Sequence, residues 1–203
     1  MDRIITSMPT SPIRVREGEC IHTAGIFEKG WDDVKKISIH VAARGALDMY
    51  VLFLGQNDSA FDHEFYSVQQ GPHSRVRYFF RSVLFDSSRL RGTAMVHITP
   101  QGSESNAFFS HHILLLSNNA QGTTTPSLEI ESEQATARHA ASVSTLDDES
   151  LFYLATRGCD EKKSEQLLIK GFLMSDLSTN EDNDLKIAIE YKVDSFLKLR
   201  NRV

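Results

Sequence analysis

Residues 113–130 read ILLLSNNAQGTTTPSLEI, and this stretch carries the pattern that decides the class of fold. The apolar run ILLL at 113–116 is typical of a strand that is buried on both faces. The turn residues SNN follow at 117–119, and Leu128 and Ile130 then flank Glu129 in the alternation of a half-buried strand. A strand, a turn and a second strand therefore succeed one another within this single stretch.

The same organisation extends toward the N-terminus. A second dense run, VLFL at 51–54, and alternating runs at 37–41 and 94–98 are separated by clusters of turn residues. Strands recur about every 10 to 15 residues, with no helical period between them, which indicates a mainly β fold. A sandwich, a barrel and a parallel β-solenoid all fit this spacing. The scarcity of Asn-Gly and Asp-Gly pairs, which tight antiparallel hairpins prefer, favours the solenoid.

The pattern becomes helical after Thr145. The segment TLDD at 145–148 resembles a capping box, Gly158 predicts a helix end, and Asp160 predicts the N-cap of a second helix. A last helix is expected over about 184–200, after a polar loop at 176–184. These helices are too short to build their own core, so we expect them to pack on the end of the β body or on another protein. The predicted parts are a flexible leader (1–16), a β core (17–144) and a C-terminal helical domain (145–203).

Composition excludes several classes of protein. The 203 residues include 40% hydrophobic and 24% charged residues, which is the globular range. The net charge of −5 and the absence of a long Lys/Arg cluster argue against binding to nucleic acid. Cys20 and Cys159 form no CxxC pair, which argues against a disulfide scaffold or a zinc module. No apolar run of membrane-spanning length and no signal peptide is evident, so a cytoplasmic protein without membrane contact is expected.

Histidines are the most conspicuous candidates for chemistry. His111 and His112 are expected at the edge of a strand, partly exposed and on opposite faces, so that they cannot easily share an ion. The same alternation separates the side chains of DHE at 62–64. No nucleophile elbow, phosphate loop or HExxH motif occurs, so the sequence predicts that the chain is not an enzyme. The eight histidines are His22, His40, His63, His73, His97, His111, His112 and His139.

One series of short blocks is much more specific than these patterns. In order, the blocks are TPSLEI at 125–130, HAASV at 139–143, LDDESLFYL at 146–154, RG at 157–158, LL at 167–168 and GF at 171–172. This series resembles the C-terminal signature of the SufB/SufD family, the scaffold proteins of iron–sulfur cluster assembly. The resemblance extends over about residues 71–172 and is strongest over 125–158.

The resemblance implies a fold and two partners. The fold would be a right-handed parallel β-helix followed by a small helical domain. The last strands would contact a SufB-like subunit, or a second copy of the chain, and pairing there would remove the liability of open strand edges. The C-terminal helices would dock a SufC-type ATPase, which hydrolyses ATP while this chain does not. The expected docking residues are Leu151, Phe152, Leu154, Arg157, Gly158, Leu167, Leu168 and Phe172.

The resemblance is to the SufD type. His139 matches the histidine that SufD-type subunits carry at the subunit interface, and Ala140 stands where SufB-type subunits carry glutamate. His111 stands where the SufB type carries a cysteine, and a thiolate is the preferred ligand of iron–sulfur clusters. The resemblance therefore implies a transient iron–sulfur cluster shared with a partner near His139 and possible involvement of His111. A longer N-terminal region is usual in the family, so this chain would be an N-terminally short member.

Two other interpretations remain open at this point. His139 can be an ordinary histidine at a strand edge. The chain can also be a stand-alone homodimeric β-solenoid that binds a metal or a cluster through His111 and His139.

Overall fold

The computed structural model describes residues 2–5, 11–177 and 183–200. Within these residues the chain forms eleven β-strands and then three α-helices. The strands are β1 (Asp2–Ile5), β2 (Ile13–Val15), β3 (Cys20–Phe27), β4 (Lys35–Val41), β5 (Ala46–Gly55), β6 (Ala60–Gln69), β7 (Arg75–Leu84), β8 (Arg89–Ile98), β9 (Asn106–Leu115), β10 (Gln121–Ile130) and β11 (Thr136–Thr145). The helices are α1 (Asp148–Thr156), α2 (Glu161–Met174) and α3 (Asn183–Arg200).

The strands form two parallel sheets that alternate along the chain. The odd sheet has the order β1-β3-β5-β7-β9-β11, and the even sheet has the order β10-β8-β6-β4-β2. In the odd sheet Ala46, Arg75, Asn106 and Thr136 lie side by side, so one turn takes about 30 residues. All of these pairings are parallel, which excludes an antiparallel sandwich or barrel. The predicted β-solenoid with C-terminal helices is confirmed, with about five turns.

Stacked corners replace hairpin turns in this fold. Arg44, His73 and Glu104 have positive φ and lie at equivalent corners of successive turns. The Arg44 amide donates to the Pro72 carbonyl at 2.8 Å, and the His73 amide donates to the Ser103 carbonyl at 2.9 Å. The turn residues therefore satisfy their backbone groups by pairing with the next turn.

The solenoid interior is a column of aromatic side chains. The centroids of Phe53 and Phe80 are 6.2 Å apart, and those of Phe80 and Phe109 are 5.1 Å apart. Phe65 and Tyr78 meet edge to face at 4.7 Å beside this column. Each turn thus buries large rings against the rings of its neighbours, and aromatic pairs add to the stability that burial alone provides.

A second core lies between the outer face of the odd sheet and the helices. Leu52 and Leu54 of β5 belong to it, whereas Val51 and Phe53 belong to the interior core. The segment 51–54 is therefore buried on both faces, as its dense apolar pattern predicts. Helices α2 and α3 contribute Ile169, Leu173, Leu185, Ile189, Val193, Phe196 and Leu197.

The structure corrects three local expectations. The predicted flexible leader contains β1 and β2, which pair with β3 and β4. Helices α2 and α3 pack on the side of the solenoid rather than on its end. Asp147, not Thr145, caps α1 and accepts hydrogen bonds from the amides of Glu149 and Ser150, because Thr145 is still part of β11.

Two predicted helix boundaries are confirmed. Gly158 follows α1 with φ of +84°, a conformation that favours glycine, and Asp160 accepts a hydrogen bond from the Lys163 amide at 2.8 Å. Much of the predicted loop at 176–184 lies outside the described residues. Among the helices described, none is long and apolar enough to cross a membrane.

Candidate functional site

The last turn of the solenoid has an open end. In the part of the chain that the structure describes, β11 pairs only with β9 and β10 pairs only with β8. Each strand is ten residues long and so presents a row of backbone groups that can pair with another strand. Val143 is 46% exposed there. Leu128 and Ala137 pack against the interior core but are only partly buried. This open end, formed by β10 and β11, combines strand edges with incompletely buried apolar side chains.

His139 lies in the middle of β11 at this open end. It is paired in register with Phe109, a residue of the interior core, so its side chain belongs to the interior side of the sheet. It is nevertheless exposed, because no described turn covers β11. A subunit that stacks on this end of the solenoid would therefore contact the His139 side chain.

His111 has a different environment from the one expected. It lies within β9 and is fully buried, not partly exposed before a strand. Its Nε2 is 2.9 Å from the Ser82 hydroxyl, and its Nδ1 is 3.0 Å from the Thr124 hydroxyl. Burial lowers the pKa of His111 well below its usual value, and the neighbouring His63, His112 and Arg81 lower it further. His111 is therefore a neutral core residue whose two ring nitrogens are both engaged.

His112 points to the opposite side of β9, as strand alternation predicts. It is half-buried, and its Nδ1 is 2.7 Å from the Ser142 hydroxyl. Burial is also the main cause that lowers the pKa of His112. Within the described residues, His111, His112 and His139 do not form a common group of metal ligands.

His63 is the other buried histidine of the interior. Its ring stacks on Phe53 at 5.0 Å, and neither ring nitrogen has a hydrogen-bond partner among the described residues. A Cβ on Gly92 would come within 2.5 Å of His63 Nε2, so glycine is needed at that position. Burial lowers the pKa of His63 to about 4, although the charge of Asp62 acts in the opposite direction.

The flanking carboxylates point away from His63. Asp62 pairs with Arg91, and Glu64 pairs with Lys36 at 2.8 Å on the outer face of the even sheet. The three residues of the DHE segment therefore do not converge, as their alternation predicts.

The predicted docking residues of the helices divide into two groups. Helix α1 has no buried residue; Phe152 is 72% exposed, Tyr153 is 56% exposed, and Leu167 of α2 is also exposed. Leu151, Leu154 and Leu168 are half-buried, and Arg157 lies over the Tyr153 ring at 5.1 Å. Phe172, in contrast, packs on the second core under the Arg81 guanidinium, 5.0 Å from its ring centroid. The large exposed apolar side chains of α1 and α2 are thus Phe152, Tyr153 and Leu167. We call these three residues the α1–α2 patch.

One further group of side chains in the described residues can hold a metal ion. It consists of His97, Glu129 and Glu131, on the outer face of the even sheet beside the open end. Sequence reasoning missed this group, although the separation of His97 and Glu129 matches one turn of the solenoid.

A family model described as the SufBD core domain of the SUF system for FeS cluster assembly matches residues 13–172. The chain belongs to the SufBD family. The matched range runs from β2 into α2 and so contains the open end and the whole α1–α2 patch. The resemblance seen in the sequence is confirmed.

Relatives in the SufBD family come from archaea and bacteria. An iron–sulfur cluster assembly SufBD family protein of Pyrococcus horikoshii is 29% identical over 179 residues, which are 87% of this chain and 39% of that protein. SufD of Bacillus subtilis is 27% identical over 79% of this chain and 37% of its own length. SufD of Escherichia coli is 26% identical over 54% of this chain and 26% of its own length. The chain therefore spans about two fifths or less of the length of these curated relatives.

Proposed function

We propose that this chain is a SufD-like, non-catalytic scaffold subunit of a Suf complex that assembles iron–sulfur clusters. The SufBD core domain supports a role in cluster assembly, and the relatives named SufD support the subtype. His139 matches the histidine of the SufD pattern, and Ala140 lacks the glutamate of the SufB pattern. The observation that carries the proposal is the open end, because a solenoid that stops at two uncovered ten-residue strands has a surface for another subunit.

The open end is the surface that we assign to a SufB-like subunit. Strand addition would satisfy the free edges of β10 and β11, and apolar contacts would cover Leu128, Ala137 and Val143. A second copy of this chain could use the same surface, so a homodimer is the alternative outcome. In either case the contact would continue the parallel stacking of the solenoid across two chains.

The α1–α2 patch is the surface that we assign to a SufC-type ATPase. Helix α1 has no buried residue and exposes two aromatic side chains, Phe152 and Tyr153. Exposed aromatic side chains on a helix without a buried face are typical of protein interaction sites. Phe172 is packed internally, so we expect it to position α2 rather than to contact the ATPase directly.

A cluster would be cargo held between subunits rather than a resident cofactor of this chain. His139 is exposed at the open end, where a ligand from a second subunit could approach the same ion. His111 of β9 is paired with Ala141, two residues after His139. It is buried, and both of its ring nitrogens are hydrogen-bonded. We therefore propose a direct role for His139 and a structural role for His111.

Co-purification of the chain with a SufC-type ATPase and a SufB-like subunit from the same source tests this function. We expect a three-component complex. The substitution Phe152→Asp should weaken ATPase binding more than about tenfold, because a charge replaces a central aromatic contact. Ile187→Asp is the matched control, since Ile187 is 54% exposed on α3, outside the patch. Undiminished ATPase binding by the Phe152→Asp variant contradicts the assignment of the patch.

A second pair of variants tests the open end in the same assay. Val143→Asp should prevent binding of the SufB-like subunit while ATPase binding continues. Val34→Asp is its control, because Val34 has a similar exposure but precedes β4. Iron and sulfide are then measured in the eluted complex, with and without His139→Ala. A soluble homodimer that binds neither partner would contradict the assembly role.

A further inference from the structure

Three potential metal ligands converge on the outer face of the even sheet. His97 is on β8, Glu129 is its neighbour in register on β10, and Glu131 is the residue just after β10. One ligand atom from each residue lies within 4.8 Å of the ligand atoms of the other two. His97 Nε2 and a Glu131 carboxylate oxygen are only 2.9 Å apart.

The solenoid itself produces this convergence. Neighbouring strands of a sheet are about 4.8 Å apart, so residues paired in register have side chains within reach of one ion. His97 and Glu129 are such a pair. Glu131 follows Glu129 by two residues and therefore points to the same face of the strand.

Tyr66 fixes the orientation of the histidine from the side opposite the carboxylates. Its hydroxyl is 3.1 Å from His97 Nδ1, and this leaves Nε2 directed at Glu131. Metal-binding histidines nearly always have their second ring nitrogen hydrogen-bonded in this way. The tyrosine hydroxyl can accept from an Nδ1–H group or donate to a bare Nδ1, so it is compatible with both protonation patterns of the ring.

We propose that His97 Nε2 and one carboxylate oxygen each from Glu129 and Glu131 bind a divalent transition-metal ion. One imidazole and two carboxylates suit Zn²⁺, Fe²⁺ or Co²⁺, whereas Mg²⁺ and Ca²⁺ prefer oxygen ligands alone. The two carboxylates balance the charge of the ion, and the ion takes the place of the contact between His97 Nε2 and Glu131. Three protein ligands leave a coordination position for water. The site does not depend on the proposed scaffold function.

The geometry needs only a small adjustment to accept the ion. Two ligand atoms that are each about 2.1 Å from one ion are at most about 4.2 Å apart. Both glutamates are exposed and can rotate to close the remaining gap, whereas His97 is held by Tyr66. His73 and Glu104 form a similar exposed pair at 3.5 Å but have no third ligand in the described residues, and so provide a matched control.

Titration with Co²⁺, followed by visible absorption, tests the site on the full chain. Cys20→Ser and Cys159→Ser are introduced first, because the exposed Cys20 and the half-buried Cys159 could also bind Co²⁺. We expect saturation at one Co²⁺ per chain and displacement by Zn²⁺. His97→Ala, Glu129→Gln and Glu131→Gln should each weaken binding by about tenfold or more, and Tyr66→Phe by about tenfold. Glu104→Gln should leave the affinity unchanged.

Denaturant unfolding of the same variants separates ligation from a structural role. The exposed Glu→Gln variants should unfold at the midpoint of the unsubstituted chain while losing affinity for Co²⁺. The absence of a saturable 1:1 spectrum overturns the proposal. Undiminished binding by a chain that carries both Glu129→Gln and Glu131→Gln also overturns it, as does an equal loss in the Glu104→Gln control.

Discussion

Strands β7 and β11 belong to the same sheet and share one register, yet their surroundings are opposite. Tyr78 of β7, Phe109 of β9 and His139 of β11 form one ladder of paired residues. Tyr78 and Phe109 are buried, whereas His139 is exposed because no described turn follows it. Two residues further along the strands, Phe80, His111 and Ala141 are paired in the same way, so the side chains become smaller toward the open end. The repeat therefore defines the backbone, and the lack of a further turn among the described residues leaves exposed the surface that we propose binds a partner.

The largest expected effect concerns packing in the interior. Phe80→Ala should lower the free energy of unfolding by about 3–5 kcal/mol, because Phe80 is fully buried between Phe53 and Phe109. Val143→Ala at the open end should lower it by less than about 1 kcal/mol in the isolated chain. Urea unfolding monitored by circular dichroism measures both. Equal losses for the two variants would mean that the open end is as well packed as the interior.

Acid should destabilise the interior through its buried histidines. The pKa of His63 is about 4 in the folded chain, below the usual 6.5 expected after unfolding, so the unfolded chain binds the proton first. Stability should fall as the pH decreases from about 6.5 to about 4, by about 3 kcal/mol for this residue, and His111 should act in the same direction.

Variants can assign this pH dependence to the interior. His63→Leu should flatten the dependence of unfolding free energy on pH, since it removes a titrating group that has no hydrogen-bond partner in the described residues. Val143→Ala at the open end removes no titratable group and is the control, so it should leave the shape of the curve unchanged. Urea unfolding at a series of pH values measures this dependence. If the unfolding free energy of His63→Leu changes with pH as steeply as that of the unsubstituted chain, His63 is not the source of the acid sensitivity.

A smaller effect is expected at the buried carboxylate of β5. Burial alone would raise the pKa of Asp48, but hydrogen bonds and charges from Arg77 and Arg75 outweigh it and lower the pKa. Asp48→Asn should cost about 1–2 kcal/mol, because both arginines remain accessible enough for water to solvate them. The contribution of Asp48 is present above pH 3.8, the usual value, and is lost as the pH falls further.

The exposed ion pair of Asp62 and Arg91 is the control for that substitution. Asp62→Asn should change the free energy of unfolding by less than about 1 kcal/mol. Thermal and urea unfolding near neutral pH compare the two variants. A larger loss of stability for Asp62→Asn than for Asp48→Asn would contradict the claim that the buried carboxylate contributes more than the exposed one.

Local features of the fold were predictable from the sequence because they depend on neighbouring residues. The burial of 51–54 on both faces and the ends of the helices at Gly158 and Asp160 follow from periodicity and capping. The choice of a solenoid depends on pairing between residues about 30 positions apart, which periodicity does not reveal. The resemblance to the SufBD family provided that information instead.

The candidate sites were less predictable for the same reason. His111 is buried, and its two ring nitrogens are satisfied by Ser82 from the preceding turn and Thr124 from the next strand. His97 meets Glu129 only through the register of β8 and β10. Phe172 likewise packs under Arg81 of β7, a contact between distant parts of the chain that no local pattern contains.

Hydrogen–deuterium exchange of β10 and β11 tests the open end most directly. In the isolated chain, amides of β7 and β9 should be protected, whereas those of β10 and β11 that lack a partner strand should exchange rapidly. Addition of a SufB-like subunit should protect β10 and β11 and leave β7 unchanged. A stable complex in which β10 and β11 still exchange as in the isolated chain would contradict the claim that the open end binds the partner.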